Sequence, residues 1–153
     1  MQPLIMKQTK ELKKVHLEHL RHSAAHLLAA AVLDLWPNTK NAIGPSIENG
    51  FYYDFDFGKT KISEADFPKI EKKMLELVKS WNSFQVNKVS QVQAKKHFTG
   101  NPFKQELIEE FSQEGKQLTA YTSGNFTDLC RGGHVVKPNR ELKYVKLLSV
   151  AGA

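Results

Sequence analysis

The sequence predicts an α+β domain in which helices pack on an antiparallel β-sheet. Three observations point there. A long helical stretch lies near the N-terminus. Turn signals at Asn49-Gly50 and Ser123-Gly124-Asn125 mark two hairpins. Helices and hairpins then alternate without the regular rhythm of parallel βαβ units.

The elements follow in chain order. Leu12, Val15, Leu20, Leu27, Leu28, Ala31, Val32 and Leu35 recur at helical spacing with no breaker before Pro37, predicting a helix over 11–35. AIGPSIENGFYYDFDF predicts two antiparallel strands, 42–48 and 51–57. Ser63, with Asp66 three residues on, caps a second helix whose apolar stripe is Ile70, Met74, Leu77 and Val78. FQVNKVS (84–90) alternates as a strand should. Short helices are expected over 91–97 and 103–114, the latter stopping at Gly115. The second hairpin is expected around Ser123-Gly124-Asn125, and LKYVKLLSV reads as a last strand.

Bulk properties narrow the class. The chain has 153 residues, which suits one domain with one core: residues 1–14 as an extension or helix start, then 15–153 as a single unit. There is no apolar run of membrane-spanning length and no secretory signal pattern, and a single cysteine forbids an internal disulfide. A cytoplasmic setting is expected. Lys and Arg number 22 against 16 Asp and Glu, giving +6. That charge is compatible with a polyanionic partner but does not require one, because the basic residues are scattered.

Two pairs carry the chemistry. In RHSAAH, His22 and His26 stand four apart, so both imidazoles leave one helix face a turn apart. In DLCRGGH, Cys130 and His134 are also four apart, around two glycines that would break a helix but permit a sharp turn. Each pair alone also fits a bland reading, a polar helix edge or a buried cysteine beside a turn. Together they supply three nitrogens and one sulfur, which could hold a tetrahedral Zn²⁺ or orient a water molecule. His16 and His19 read as a solvated flank beside Lys13, Lys14 and Glu18.

RHSAAHLLAAAV, WPNTKNAIGPSIENGFYYDFDF, DLCRGGH and LKYVKLLSVAGA together resemble the editing domain of bacterial-type threonyl-tRNA synthetases, from about Leu17 to Ala153. Alanyl-tRNA synthetase editing domains share the two pairs, but the longer blocks resemble the threonyl branch more closely. The resemblance implies hydrolysis of serine wrongly esterified to threonine tRNA, a second sieve for a discrimination that one methyl group cannot supply. It assigns His22, His26, Cys130 and His134 to the catalytic cluster, with Lys104 near the ester and Asp128 on the α-amino group. It gives Tyr53 and Arg131 to substrate binding, Tyr53 as a wall of the side-chain pocket. No cofactor is expected to be required, with Zn²⁺ at the His/Cys cluster as the alternative. Cys130 as covalent nucleophile ranks below a water-based mechanism.

The implied partners are the aminoacylated 3′ end of tRNA and, if the chain is excised from a larger synthetase, the rest of that protein. The chain's end, Val150-Ala151-Gly152-Ala153, favours excision over a freestanding editor. Gly133 stands where the family usually has proline, a departure towards the glycine-rich turn of the alanyl group. The rival readings are an alanyl-type deacylase, a non-catalytic tRNA-binding module and a zinc-stabilised structural domain.

Overall fold

The computed structural model describes residues 2–152, with side chains from Lys7 onward. Helix α1 (Gln2–Leu35) begins earlier than expected. Residues 4–10 contain no breaker, and Pro3 falls in the first turn, where its missing N–H costs nothing. The two halves of α1 differ. Residues 7–18 are exposed, Leu12 and Val15 included, so the apolar stripe does not pack there. Ser23–Leu27 and Ala29–Val32 are buried. Small alanines let neighbours close on several sides of this half, and Pro37 follows its end.

The first hairpin differs from the two long strands expected. β1 (Lys40–Asn41) pairs with β4 (Phe55–Asp56), and β2 (Ser46–Ile47) pairs with β3 (Gly50–Phe51), both antiparallel. Between the two ladders, residues 42–45 face residues 52–54, so the first strand carries one extra residue. That is a bulge, placed where Gly44 and Pro45 interrupt the strand. Ala42 and Asp54 continue the ladder from one side, with Ala42 N–H donating to the Asp54 carbonyl at 2.9 Å.

Gly44 is required at the bulge, since a Cβ there would lie 2.1 Å from the Tyr53 ring. Gly44→Ala is therefore expected to push Tyr53 out of place and cost about 1–3 kcal/mol, an overpacking penalty. Urea denaturation would measure it, and an unchanged midpoint would refute the contact.

The Ser63–Asp66 cap forms in both directions: Asp66 accepts from Ser63 N–H at 2.9 Å, and Ser63 Oγ accepts from Ala65 N–H at 3.3 Å. It opens a single 3₁₀ turn (Glu64–Asp66) that leads into α2 (Phe67–Val78), whose Ile70, Met74 and Val78 bury against α1. β5 (Gln85–Val89), β6 (Leu118–Ser123) and β7 (Phe126–Leu129) form an antiparallel sheet in that order. α3 (Gln91–His97) and α4 (Pro102–Gln113) join β5 to β6. Ala94, Phe98 and Ile108 from this connection pack with Leu118, Ala120 and Leu129 of the sheet.

The tip of the β6–β7 hairpin seats on the buried Trp81. Gly124, at φ +56°, leaves room for the indole where a Cβ would lie 2.9 Å from its nitrogen. Trp81 and Phe126 join the larger core around α1 and α2.

The expected last strand does not form. A short helix, α5 (Pro138–Glu141), is followed by an extended tail that pairs with no strand among the described residues. Val145 and Leu147 pack on the main core while Tyr144 and Leu148 face solvent. Glu71 of α2 accepts from Leu147 N–H and Lys146, each at 3.4 Å. The alternation that suggested a strand reports packing against a helix, which has no free backbone edge to pair with. Helices packed on small antiparallel sheets make the fold α+β, as the sequence predicts.

Candidate active site

Four elements converge at the end of β7. α1 supplies His22 and His26; β7 and the turn after it supply Asp128, Cys130 and His134; α4 supplies Lys104; the bulged hairpin supplies Tyr53. One donor atom from each of His22, His26, Cys130 and His134 lies within 4.8 Å of the others.

The turn that brings the pairs together uses both glycines. Gly132 and Gly133 adopt φ +91° and +85°, in the left-handed region that side chains with a Cβ rarely tolerate. A Cβ on Gly132 would also lie 2.2 Å from the Tyr121 hydroxyl. The turn directs the Gly133 carbonyl at α1, where it accepts from His22 Nδ1 at 3.2 Å. A carbonyl only accepts, so the His22 proton sits on Nδ1 and Nε2 keeps its lone pair. Burial pushes the His22 pKa below its ordinary value and favours that neutral form.

His134 is held differently. Its ring stacks between His22 and Phe84, with centroids 4.1 Å from each. The buried Ser23 hydroxyl lies 2.9 Å from its Nδ1 and accepts from Val135 N–H at 3.0 Å. His134 Nε2 then faces Cys130 Sγ at 3.3 Å. Burial, reinforced by the neighbouring histidines, pushes the His134 pKa down. Burial pushes the Cys130 thiol up to about 12, so it is protonated near neutral pH. His26 is 1% exposed. Burial, then His22 and Lys104, pushes its pKa well down. Among the described residues nothing hydrogen-bonds its Nδ1.

Beneath the cluster lies a buried charge pair. Lys104 Nζ donates to Asp128 Oδ1 at 2.5 Å, to the Ala42 carbonyl at 2.6 Å and to the Tyr53 hydroxyl at 3.2 Å. Those three bonds use all three ammonium hydrogens. Tyr53 in turn donates to Asp128 Oδ2 at 2.5 Å and accepts from Asn41 at 2.9 Å. Burial and then the Asp128 charge push the Tyr53 phenol well above its ordinary pKa, so it stays a donor. Asn101 sets this geometry: it caps α4 by accepting from Phe103 and Lys104 N–H and donates to Asn41 at the start of the hairpin.

An open cleft of about 510 Å³ leads down to this assembly. Its walls include His22, His26, Lys104, Asp128, Cys130 and Arg131, together with Ile43–Ser46 of the bulge. Two expected site residues do not line it. The Tyr53 ring sits behind Asp128, so Tyr53 supports the charge pair rather than forming a wall. His134 stands behind His22. Arg131 lies at the rim, largely exposed, with its guanidinium 4.9 Å over the Phe111 ring.

The reading of His16 holds, since it is exposed beside Glu141 at 3.6 Å. The reading of His19 does not: it is half-buried and lines the cleft against Gly133. Ser23, Asn41 and Phe84 escaped the sequence reading. Ser23 stands between the paired histidines, which was its one signal; the other two gave none.

The donor set fits a tetrahedral metal ion. His22 offers Nε2 while donating Nδ1–H to a carbonyl, as metal-bound imidazoles usually do, and His26 has a buried nitrogen with no partner among the described residues. Cys130 would bind as thiolate.

The histidines also set a pH dependence. All three have folded pKa values below the unfolded value of about 6.5. The unfolded chain therefore binds more protons at acidic pH, and stability falls as pH drops below about 6.5, by up to about 1.4 kcal/mol per pH unit for each fully shifted group. Denaturation midpoints between pH 5 and 8 should show a plateau above 7 and a steep loss below 6.5. A flat profile would contradict the neutral, buried cluster.

Comparison with known proteins places the chain. No family model matches it. It is 46% identical over 138 residues to threonine--tRNA ligase of Thermotoga petrophila, spanning 89% of the chain and 21% of that protein. Against the Dehalococcoides mccartyi enzyme of the same name it is 47% identical over 137 residues, 90% of the chain and 23% of the relative. Against that of Parabacteroides distasonis it is 51% identical over 135 residues, 86% and 20%. The chain thus spans about a fifth of the length of the curated relatives it matches. Nearly the whole chain is homologous to one segment of the threonine--tRNA ligases, the family its sequence blocks resemble.

Proposed function

We propose that this chain hydrolyses the ester of mischarged tRNA, removing serine from threonine tRNA. The observation that carries the reading is His22 Nε2, an unprotonated nitrogen beside the neutral Cys130 thiol, above a buried Lys104–Asp128 pair at the foot of an open cleft. Kinship with a segment of threonine--tRNA ligases supports a substrate built on threonine tRNA. The partners are then the aminoacylated 3′ end of tRNA and the rest of such a ligase.

In this reading His22 Nε2 accepts a proton from a water that attacks the ester carbonyl. The bond from that carbon to the 3′-oxygen then breaks, and His22 returns the proton to the departing 3′-oxygen, leaving free serine and tRNA. Cys130 holds that water by hydrogen bonding. Its high pKa leaves little thiolate for covalent attack. Asp128 receives the free α-amino group of the substrate. Lys104 acts through its charge, because its three hydrogens are already engaged; only the 3.2 Å contact to Tyr53 is long enough to exchange readily. A bound Zn²⁺ would supply Lewis acidity towards water, and we place the reaction without it.

The test is hydrolysis of labelled Ser-tRNA(Thr), Ser-tRNA(Ala) and Thr-tRNA(Thr) by the purified chain. Faster loss of serine from tRNA(Thr) than from the other two is expected. Equal or greater hydrolysis of Ser-tRNA(Ala) would move the chain to the alanyl-type reading. Binding without hydrolysis of any of the three would leave a tRNA-binding module. Elemental analysis of the same preparation is expected to find substoichiometric zinc, with hydrolysis insensitive to chelator. Stoichiometric zinc would overturn the metal-free mechanism.

A further inference from the structure

A second cavity, of about 290 Å³, also borders Cys130. The two share Phe111, Leu129, Cys130 and Arg131, so they adjoin at the residues that follow β7. The second is built around an aromatic face. The Arg131 guanidinium lies 4.9 Å from the Phe111 ring centroid and the Lys116 ammonium 5.9 Å from it. Glu114 pairs with both cations, with Lys116 closely and with Arg131 at 3.6 Å. All three charged groups are substantially exposed, so their ion pairs are weak and exchangeable.

Two cations beside an aromatic ring are what a single-stranded nucleotide requires: charge for the phosphate and a π-face for the base. Position matches this. In a terminal nucleoside the 5′-phosphate is one sugar away from the 3′-ester. Arg131 follows Cys130 in the chain and lines both cavities, so a strand passing from the first to the second would carry that phosphate past its guanidinium. The cavity has room for about one nucleotide.

We propose that this second cavity is a subsite for the penultimate nucleotide of the substrate's 3′ end, with Lys116 and Arg131 contacting its phosphates and Phe111 its base. The proposal rests on the deacylase reading for the identity of the strand, while its residues lie outside the cluster that would do the chemistry. Glu114 competes with the phosphate: it holds both cations over the ring when no strand is present and is displaced when one binds.

The test is equilibrium binding of the trinucleotide CCA and of adenosine to the full chain at low salt. CCA is expected to bind about tenfold or more tightly than adenosine, the scale of one stacked base and a phosphate contact. Lys116→Ala should remove most of that gain, and Glu114→Gln should increase it by about twofold to fivefold, since a competing carboxylate is gone. Affinity for adenosine should not change in either variant, which separates a subsite effect from misfolding. The salt dependence of CCA binding should flatten in Lys116→Ala.

Equal binding of CCA and adenosine by the wild-type chain would overturn the subsite, as would a Glu114→Gln variant that weakens CCA. Hydrolysis of 3′-seryl-adenosine by the wild-type chain, measured alongside, tests the deacylase reading separately. No hydrolysis with the trinucleotide gain intact would sink that reading and keep the subsite.

Discussion

Asp128→Ala is expected to be the most destabilising single change in this protein, costing about 3–5 kcal/mol, because it leaves the Lys104 ammonium buried without a counter-charge. Lys104 is 1% exposed and Asp128 2%. The loss is large against the roughly 5–15 kcal/mol that holds a typical domain together. It also strands the Tyr53 hydroxyl, which donates to Asp128, and the Leu129 N–H, which donates to it at 2.8 Å.

The paired replacement Lys104→Met with Asp128→Leu should recover most of the stability, because it removes both charges together. Recovery should be incomplete, since the Tyr53 hydroxyl remains without its acceptor. Neither variant should hydrolyse seryl-tRNA. Urea denaturation with parallel deacylation assays measures both effects. An Asp128→Ala protein as stable as wild type would mean that water from the cleft solvates Lys104 in place of the lost counter-charge.

The second large effect is catalytic. His22→Ala and Cys130→Ala should each lower seryl-tRNA hydrolysis by about 10²–10⁴, the range for a lost general base or water-positioning group. Cys130→Ser should retain part of the rate, because a hydroxyl can also hold a water, whereas a covalent thiolate mechanism would lose it. Iodoacetamide should alkylate Cys130 far more slowly than an exposed free cysteine, since a pKa near 12 leaves on the order of 10⁻⁵ thiolate at pH 7. Wild-type rates in Cys130→Ala would remove the cysteine from the mechanism, and rapid alkylation would reopen the covalent one.

Local signals were legible where a residue's own neighbours in sequence decide the outcome. The Ser63–Asp66 cap, the alternation over 84–90, and the glycine-bearing turns at 123–125 and 132–133 all depend on chemistry within a few residues, and the structure carries them at those places. Long-range competition was not legible. The first hairpin carries the right turn but an unexpected bulge, because Gly44 must pass under the Tyr53 ring. Residues 142–150 alternate like a strand and instead pack on the main core, with Glu71 of α2 accepting from the Leu147 N–H. His19 looks like one more polar residue on a solvated helix, and only the approach of Gly133 turns it into a cleft wall.

By itself, the sequence determined which groups could do chemistry here: three histidines and a cysteine in two pairs, glycines to turn the chain between Cys130 and His134, and a family likeness naming a substrate. The tertiary structure decided their protonation and their partners. Burial is a property of the packed whole, so it alone makes the histidines neutral and the thiol a poor nucleophile. It is also the packed whole that turns Tyr53 from a supposed pocket wall into the support of a buried Lys104–Asp128 pair. Side chains separated by 24 and 75 positions in the chain can be matched for charge and hydrogen bonds only once α4, β7 and the hairpin have met.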